Sequence, residues 1–217
     1  MKIGIIGTGI VGNTLGTKLV QLGHEVKMGS RTANNEKAAA WVATAGKGAS
    51  QGTFADAAKF GELNFNCTGG MVSLEALKAA GAENLKGKIL IDVSNTLDFS
   101  KGMPPTLAIV NDNSIGEEIQ KHFPETKVVK SLNTLNSNLM TNPNAVGGGD
   151  HDIFMNGNDA EAKQKVKELL KSFGWKEEHI IDMGDITTAR GTEQLLPIWI
   201  RLMGLFKTPM FQFKIVR

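Results

Sequence analysis

The chain is predicted to fold as a doubly wound α/β domain on a mostly parallel sheet, with a short C-terminal α/β extension. Three observations predict it. Short apolar runs alternate with helical patterns along the sequence, as parallel strands joined by crossover helices require. The runs are continuous rather than alternating, as in Lys88-Ile89-Leu90-Ile91-Asp92-Val93, which suits a sheet covered on both faces. The first run, Ile3-Gly4-Ile5-Ile6, leads straight into the glycine turn Gly7-Thr8-Gly9-Ile10-Val11-Gly12 and then into a helical pattern.

In chain order, the patterns give a strand over 2–6, a helix over 10–22, a strand over 25–28 and a helix over 35–45. A short strand near 49–53, a helix over 54–60, a strand over 63–67, a helix over 71–80 and a strand over 88–93 follow. A loop carrying Met103-Pro104-Pro105 separates these from a helix over 114–122, with Asn113-Ser114 as its cap, and a strand over 127–132. The stretch 142–150, with proline, asparagines and three consecutive glycines, disfavours any regular element and marks the best internal boundary. Residues 1–146 are therefore expected to form the main domain, and 147–217 a segment too short to fold alone that walls one side of a cleft. Within it the patterns predict a strand over 152–156, a helix over 159–173, a strand over 179–183, a helix over 187–204 and a closing strand over 211–216.

The glycine turn names a ligand class. Gly7 permits the tight turn out of the strand, Gly9 lets backbone approach a pyrophosphate, and Gly12 lets helix and strand pack closely. The helix behind the turn presents free N–H groups and the positive end of its dipole to phosphates. Four glycines within the first twelve residues break the apolar run that a leader peptide would need. The turn thus predicts a Rossmann-type, dinucleotide-binding fold.

Composition narrows the function classes. With 41% hydrophobic and 21% charged residues the chain reads as an ordinary globular protein, and a net charge of +2 without a basic cluster gives no case for nucleic acid. The apolar stretch 195–206 is broken by Arg201 and is well short of the roughly 20 residues that span a bilayer, so no membrane association is expected. A single cysteine, Cys67, excludes an internal disulfide framework and any CxxC metal site, and points to a reducing cytoplasm. The chain has no tyrosine, so the Tyr-x-x-x-Lys acid/base of short-chain dehydrogenases cannot exist in it.

Where an NAD enzyme would carry a carboxylate, about 20 residues beyond the turn, the second strand ends in Ser30-Arg31-Thr32. Ser30 and Thr32 offer hydroxyls and Arg31 a planar guanidinium matched to a 2′-phosphate, which favours NADP over NAD. Lys37, in the next helix, adds positive charge nearby. Thr68 and Gly69, behind the fourth strand, are candidates to line the pyrophosphate and ribose. Asn95 borders the nicotinamide or holds its loop, and Asn133 positions the carboxamide, a substrate carbonyl or its own loop. Asp92 is expected to hold its loop, and Cys67 to fill core rather than attack substrate. The four histidines, lacking paired carboxylates in recognisable spacing, read as surface residues; no catalytic acid and no metal cluster emerges. The apolar helix around Trp199 suggests a homodimer interface.

Beyond these features the sequence resembles the NADP oxidoreductase family dependent on the deazaflavin coenzyme F-420. The likeness runs through the glycine turn, Gly29-Ser30-Arg31, Thr53 to Ala58, Ile89 to Asn95, Lys130 to Thr134, Gly157 to Ala160, and Asp182 to Ile186 with Ala189-Arg190 and Glu193. It implies a grip on NADP(H) by Thr8, Gly9, Ile10, Val11, Ser30, Arg31 and Lys37. It also implies direct hydride transfer to a planar redox acceptor, a deazaflavin or flavin co-substrate, with no need for an acid/base residue. The stretch from 192 to 210 carries bulky apolar groups that match no deazaflavin contact. Reduction of a small imine or carbonyl, and non-catalytic NADP(H) sensing, stay open as alternatives.

Overall fold

The structure, a computed structural model, describes residues 1–216. Arg217, the last residue of the expected C-terminal segment, lies outside the described residues. The chain opens with β1 (Lys2–Ile6), α1 (Ile10–Gln21), β2 (Glu25–Ser30), α2 (Glu36–Ala45), β3 (Ala49–Thr53) and α3 (Phe54–Phe60). It continues through β4 (Leu63–Asn66), α4 (Gly70–Ala80), α5 (Ala82–Leu85), β5 (Ile89–Asp92), β6 (Leu97–Asp98), β7 (Thr106–Leu107), α6 (Ile115–His122) and β8 (Lys127–Ser131). The last third adds α7 (Ser137–Thr141), β9 (Ile153–Gly157), α8 (Ala160–Ser172), β10 (Ile180–Asp182), α9 (Ala189–Gln194) and α10 (Leu196–Phe206).

Eight strands form one sheet in the order β10-β9-β8-β5-β4-β1-β2-β3. Strand order reverses between β1 and β4, so the crevice of a doubly wound fold opens beyond their carboxyl ends. Every pairing in this sheet is parallel except β8 with β9, which is antiparallel. β9 and β10 extend the same sheet, so the C-terminal segment shares the main hydrogen-bonded layer.

The strands bury both faces, as their continuous apolar runs require. Ile3 and Ile5 pack on one side with Leu15, Leu19 and Trp41, while Ile6 packs on the other with Phe54, Ala58 and Leu77. Gly4 has a local reason: a Cβ there would lie 2.3 Å from the Ala57 carbonyl oxygen, because α3 rests directly on β1. A complete capping box, Thr53 with Asp56, starts α3 at the very end of β3.

Several elements differ from expectation. The helix expected over 187–204 is interrupted at Leu195, giving α9 and α10, with a 3₁₀ turn at Ile186–Thr188 before them. Pro197 is the cause: in one continuous helix its ring would clash with the Glu193 carbonyl, whereas the first turn of a new helix tolerates it. The closing strand over 211–216 does not form. That segment is held instead by Asp152, whose N–H donates to the Phe213 carbonyl and whose carboxylate accepts the Ile215 N–H, so a side chain replaces the ladder partner a strand would need. The stretch 142–150 forms two three-residue 3₁₀ turns, Pro143–Ala145 and Gly147–Gly149, the second built on glycines with positive φ. The loop 96–110 carries the small antiparallel pair β6 and β7, which its composition did not announce.

Candidate dinucleotide site

The glycine turn is built as its sequence requires. Gly7 sits at φ 121°, in a region closed to most side chains, and a Cβ on it would lie 2.7 Å from the Cys67 carbonyl oxygen. A Cβ on Gly12 would lie 2.4 Å from the Gly7 carbonyl oxygen, so helix and turn can close only on glycine. Gly9 meets nothing within 4 Å and faces open space. As the N-cap of α1 it supplies no side-chain acceptor, and the first turn holds no acid, so the helix keeps its N–H groups and positive dipole end for an anion.

Beyond the turn lies a groove of about 440 Å³, lined by Gly7, Thr8, Gly9, Ser30, Arg31, Asn35, Phe54, Cys67, Thr68 and Gly69, and walled by Val72, Glu75, Ala76 and Ala79 of α4. Seven expected site residues thus converge: Gly7, Thr8, Gly9, Ser30, Arg31, Thr68 and Gly69. Arg31 is exposed and enters no ion pair among the described residues. Ser30 shares hydrogen bonds with the backbone of Thr32, so the two shape the turn that carries Arg31. The Val11 side chain and Gly12 pack beneath the turn, Ile10 projects at 76% exposure, and Lys37 stands exposed on α2 outside the groove lining. The α4 wall and Asn35 escaped sequence reading, because residues spaced along a helix surface carry no motif. A larger polar hollow of about 670 Å³, between α1 and α7, has Lys18 as the one charged side chain in its lining and includes none of the expected site residues.

Asn95 and Asn133 follow β5 and β8, two and three strands from β1. At roughly 4.8 Å per strand they lie about 10 and 14 Å along the sheet from the glycine turn. They are joined to each other: Asn95 Nδ2 donates to the Asn133 carbonyl at 2.9 Å, and Asn133 Nδ2 donates to Asn95 Oδ1 at 3.1 Å and to the Thr192 carbonyl at 3.2 Å. Asn133 stands behind Leu132, whose φ of 61° is unusual for a bulky residue.

Under this pair lies a buried ionic cluster. Lys130 Nζ sits 2.8 Å from Asp92 Oδ2 and 2.8 Å from Glu193 Oε1, with all three side chains at most 2% exposed. Its third donor goes to the Ser94 carbonyl. Asp92 Oδ1 also accepts from Asn66 and from the Ser94 hydroxyl and N–H, so it holds its loop as expected. Glu193 accepts from the N–H groups of Ile115 and Gly116 at 2.9 and 3.1 Å, at the N-terminus of α6. Burial acts to lower the Lys130 pKa, but Asp92 and Glu193 outweigh it and hold the ammonium above the ordinary lysine value. Burial, reinforced by the Asp92 carboxylate, pushes the Cys67 thiol well above its usual range, so it is no thiolate nucleophile.

Two histidines depart from the expected surface placement. His151 is buried, with Nε2 at 2.9 Å from the Pro143 carbonyl and its ring edge-on to Trp175. His179 pairs with Asp152 at 2.8 Å, a partner far away in sequence. Among the described residues no group of three or more His, Cys, Asp or Glu could hold a metal ion.

Comparison with known proteins now bears on this site. Residues 2–96 match the family model described as NADP oxidoreductase, coenzyme F420-dependent. A 1.70 Å crystal structure from Arthrobacter sp. FB24, provisionally assigned as an F420-dependent NADP reductase, superposes with a TM-score of 0.94 at 53% identity over the whole of both chains. The chain belongs to this family. It is 28% identical to the F420-dependent NADP reductase of Methanothermobacter marburgensis over 93% of this chain and 92% of that one. It is 30% identical to the rat metalloreductase STEAP3, aligned over 94% of its own length, but spans only 40% of that relative. The chain is an NADP-dependent oxidoreductase on a Rossmann-type fold.

Proposed function

We propose that the chain transfers a hydride between NADP(H) and a planar redox acceptor of the deazaflavin or flavin type. The observation that carries this reading is the pairing of ionisable groups behind the strand ends. Asp92, Lys130 and Glu193 satisfy one another inside the protein, so none of the three is free to act as acid or base on a substrate. Transfer between stacked rings needs proximity and orientation and no enzymic acid, whereas imine or carbonyl reduction needs a proton delivered to the substrate.

NADP(H), when bound, supplies or accepts the hydride. The uncapped α1 terminus with Thr8, Gly9, Ile10 and Val11 would hold the pyrophosphate, with Thr68 and Gly69 beside it. Ser30, Arg31 and Thr32 would hold the 2′-phosphate, Lys37 adding longer-range attraction. Asn95 and Asn133 would meet the nicotinamide carboxamide. In this reading residues 1–146 are the dinucleotide-binding unit, and the segment from 147 on is a dependent wall joined through β9 and Glu193. A single free cysteine is consistent with a reducing compartment such as the cytoplasm, and no helix is long and apolar enough to cross a membrane among the described residues.

Following NADPH oxidation against deazaflavin, flavin, ferric and cyclic imine acceptors tests the proposal. Deazaflavin or flavin should turn over fastest; a preference for the imine would overturn the planar-acceptor reading, and tight NADPH binding with no turnover would favour a sensor. We further propose a homodimer through α10, whose Ile198, Leu205 and Phe206 are exposed on an apolar helix. Light scattering at micromolar concentration should give twice the chain mass and, for Ile198→Asp/Leu205→Asp, the monomer mass. A monomeric wild type would refute it.

A further inference from the structure

Glu193 is buried and absent from the groove lining, and the hydride-transfer reading uses it only as a partner of Lys130. Its surroundings point to more. It is bound at three points: to Lys130 of β8 at 2.8 Å, and to the Ile115 and Gly116 N–H groups of α6 at 2.9 and 3.1 Å. The residue before it, Thr192, is fixed as well, with its hydroxyl 3.2 Å from Asn156 Oδ1, and its carbonyl accepts the Asn133 amide. Asn133 in turn exchanges hydrogen bonds with Asn95. Lys130 closes the circuit from below, because its remaining donors hold Asp92 and the Ser94 carbonyl, next in sequence to Asn95.

We propose that Glu193 is a positioning residue for the nicotinamide: it anchors α9 so that the Thr192 carbonyl orients Asn133, and through it Asn95, at the nicotinamide end of the site. This rests on the reading that the nicotinamide lies against those two asparagines. A side-chain amide is free to rotate by half a turn, exchanging donor for acceptor; a fixed carbonyl partner selects one orientation. The Asn133 Nδ2 bonds to Thr192 and to Asn95 make that selection, so its Oδ1 is left to face a ligand amide.

The test separates positioning from folding. Glu193→Leu severs all three anchors yet leaves Asp92 and Lys130 as a matched pair, which tolerates the change better than an unpaired charge would. Saturation-transfer difference NMR with NADP⁺ reads the nicotinamide protons against the adenine protons, and needs no acceptor. Wild type should saturate both. Glu193→Leu should keep the adenine signal and lower the nicotinamide-to-adenine ratio at least threefold, with kcat falling about 100-fold and the NADPH KM nearly unchanged, as expected for a displacement of about 1 Å at the reacting end. Glu193→Gln, whose amide oxygen still accepts from α6, should restore most of the ratio.

An unchanged ratio in folded Glu193→Leu would overturn the proposal, as would a wild type that saturates adenine alone. If circular dichroism shows Glu193→Leu unfolded, Glu193→Asp, too short to reach Lys130 and α6 together, is read in its place, and an unchanged ratio there overturns it equally. A wild type that seats the nicotinamide but reduces no planar acceptor refutes the acceptor reading and leaves the positioning role standing.

Discussion

Lys130→Met should lower the unfolding free energy by about 3–5 kcal/mol, the range for removing one partner of a buried ion group. The wild-type cluster sets two carboxylates around one ammonium, and every charged atom has a hydrogen-bonding partner. Methionine fills the stem but leaves Asp92 and Glu193 facing each other in a dry interior. For a chain of this size the loss corresponds to a fall of roughly 6–20 °C in the melting midpoint, measurable by calorimetry. Lys86→Met is the control: Lys86 pairs with Glu125 at 2.9 Å, but both are more than half exposed, and the midpoint should barely move. Equal behaviour of the two variants would show that the buried cluster contributes nothing. The pH dependence has a definite sign. Because the folded-state pKa of Lys130 is raised, its contribution is complete below the ordinary lysine value of 10.5 and is lost as pH rises through the folded value. Wild-type stability should therefore show no Lys130-linked change between pH 6 and 9 and a decline in stronger alkali.

Arg31→Ala should weaken NADPH binding roughly 10- to 150-fold, the equivalent of about 1.5–3 kcal/mol for a charge-assisted hydrogen bond, and leave NADH binding within about twofold. The argument is one of place and availability. Arg31 follows directly on β2, lines the groove beside Ser30 and Gly9, and enters no ion pair among the described residues that a phosphate would have to break. No carboxylate stands at the end of β2 to take a ribose 2′-hydroxyl, so removing the guanidinium removes the discrimination without creating an NAD site. Fluorescence titration with each nucleotide at two salt concentrations provides the check. The wild-type preference for NADPH should shrink as salt rises, and the variant's should not. Equal losses for both nucleotides would place the 2′-phosphate elsewhere.

What could be read from the chain differs between the two halves of the site. The glycine-turn side of the groove was legible because it depends on local backbone requirements. A turn that passes 2.4 Å from where a Cβ would stand demands Gly12, and a strand end that carries Arg31 is contiguous with its own strand. The opposite wall, Val72, Glu75, Ala76 and Ala79, was not legible, since a helix surface facing a groove has the same composition as one facing water. The histidines show the same limit: the Asp152 partner of His179 is 27 residues away and touches it only because β9 and β10 run side by side.

The sequence by itself determined the fold class, the alternation of strands and helices from β1 through α4, the glycine turn and the placement of Arg31. Each is governed by contacts within a few residues or by hydrophobic periodicity, which the chain carries openly. Only the tertiary structure decided that Pro197 divides the last helix, that residues 211–216 dock on Asp152 rather than extend the sheet, and that Asp92, Lys130 and Glu193 meet beneath Asn95 and Asn133. In a strand buried on both faces a lone lysine or aspartate reads as a conflict. It becomes a stable arrangement once β5, β8 and α9 bring opposite charges within 2.8 Å where no water competes for them.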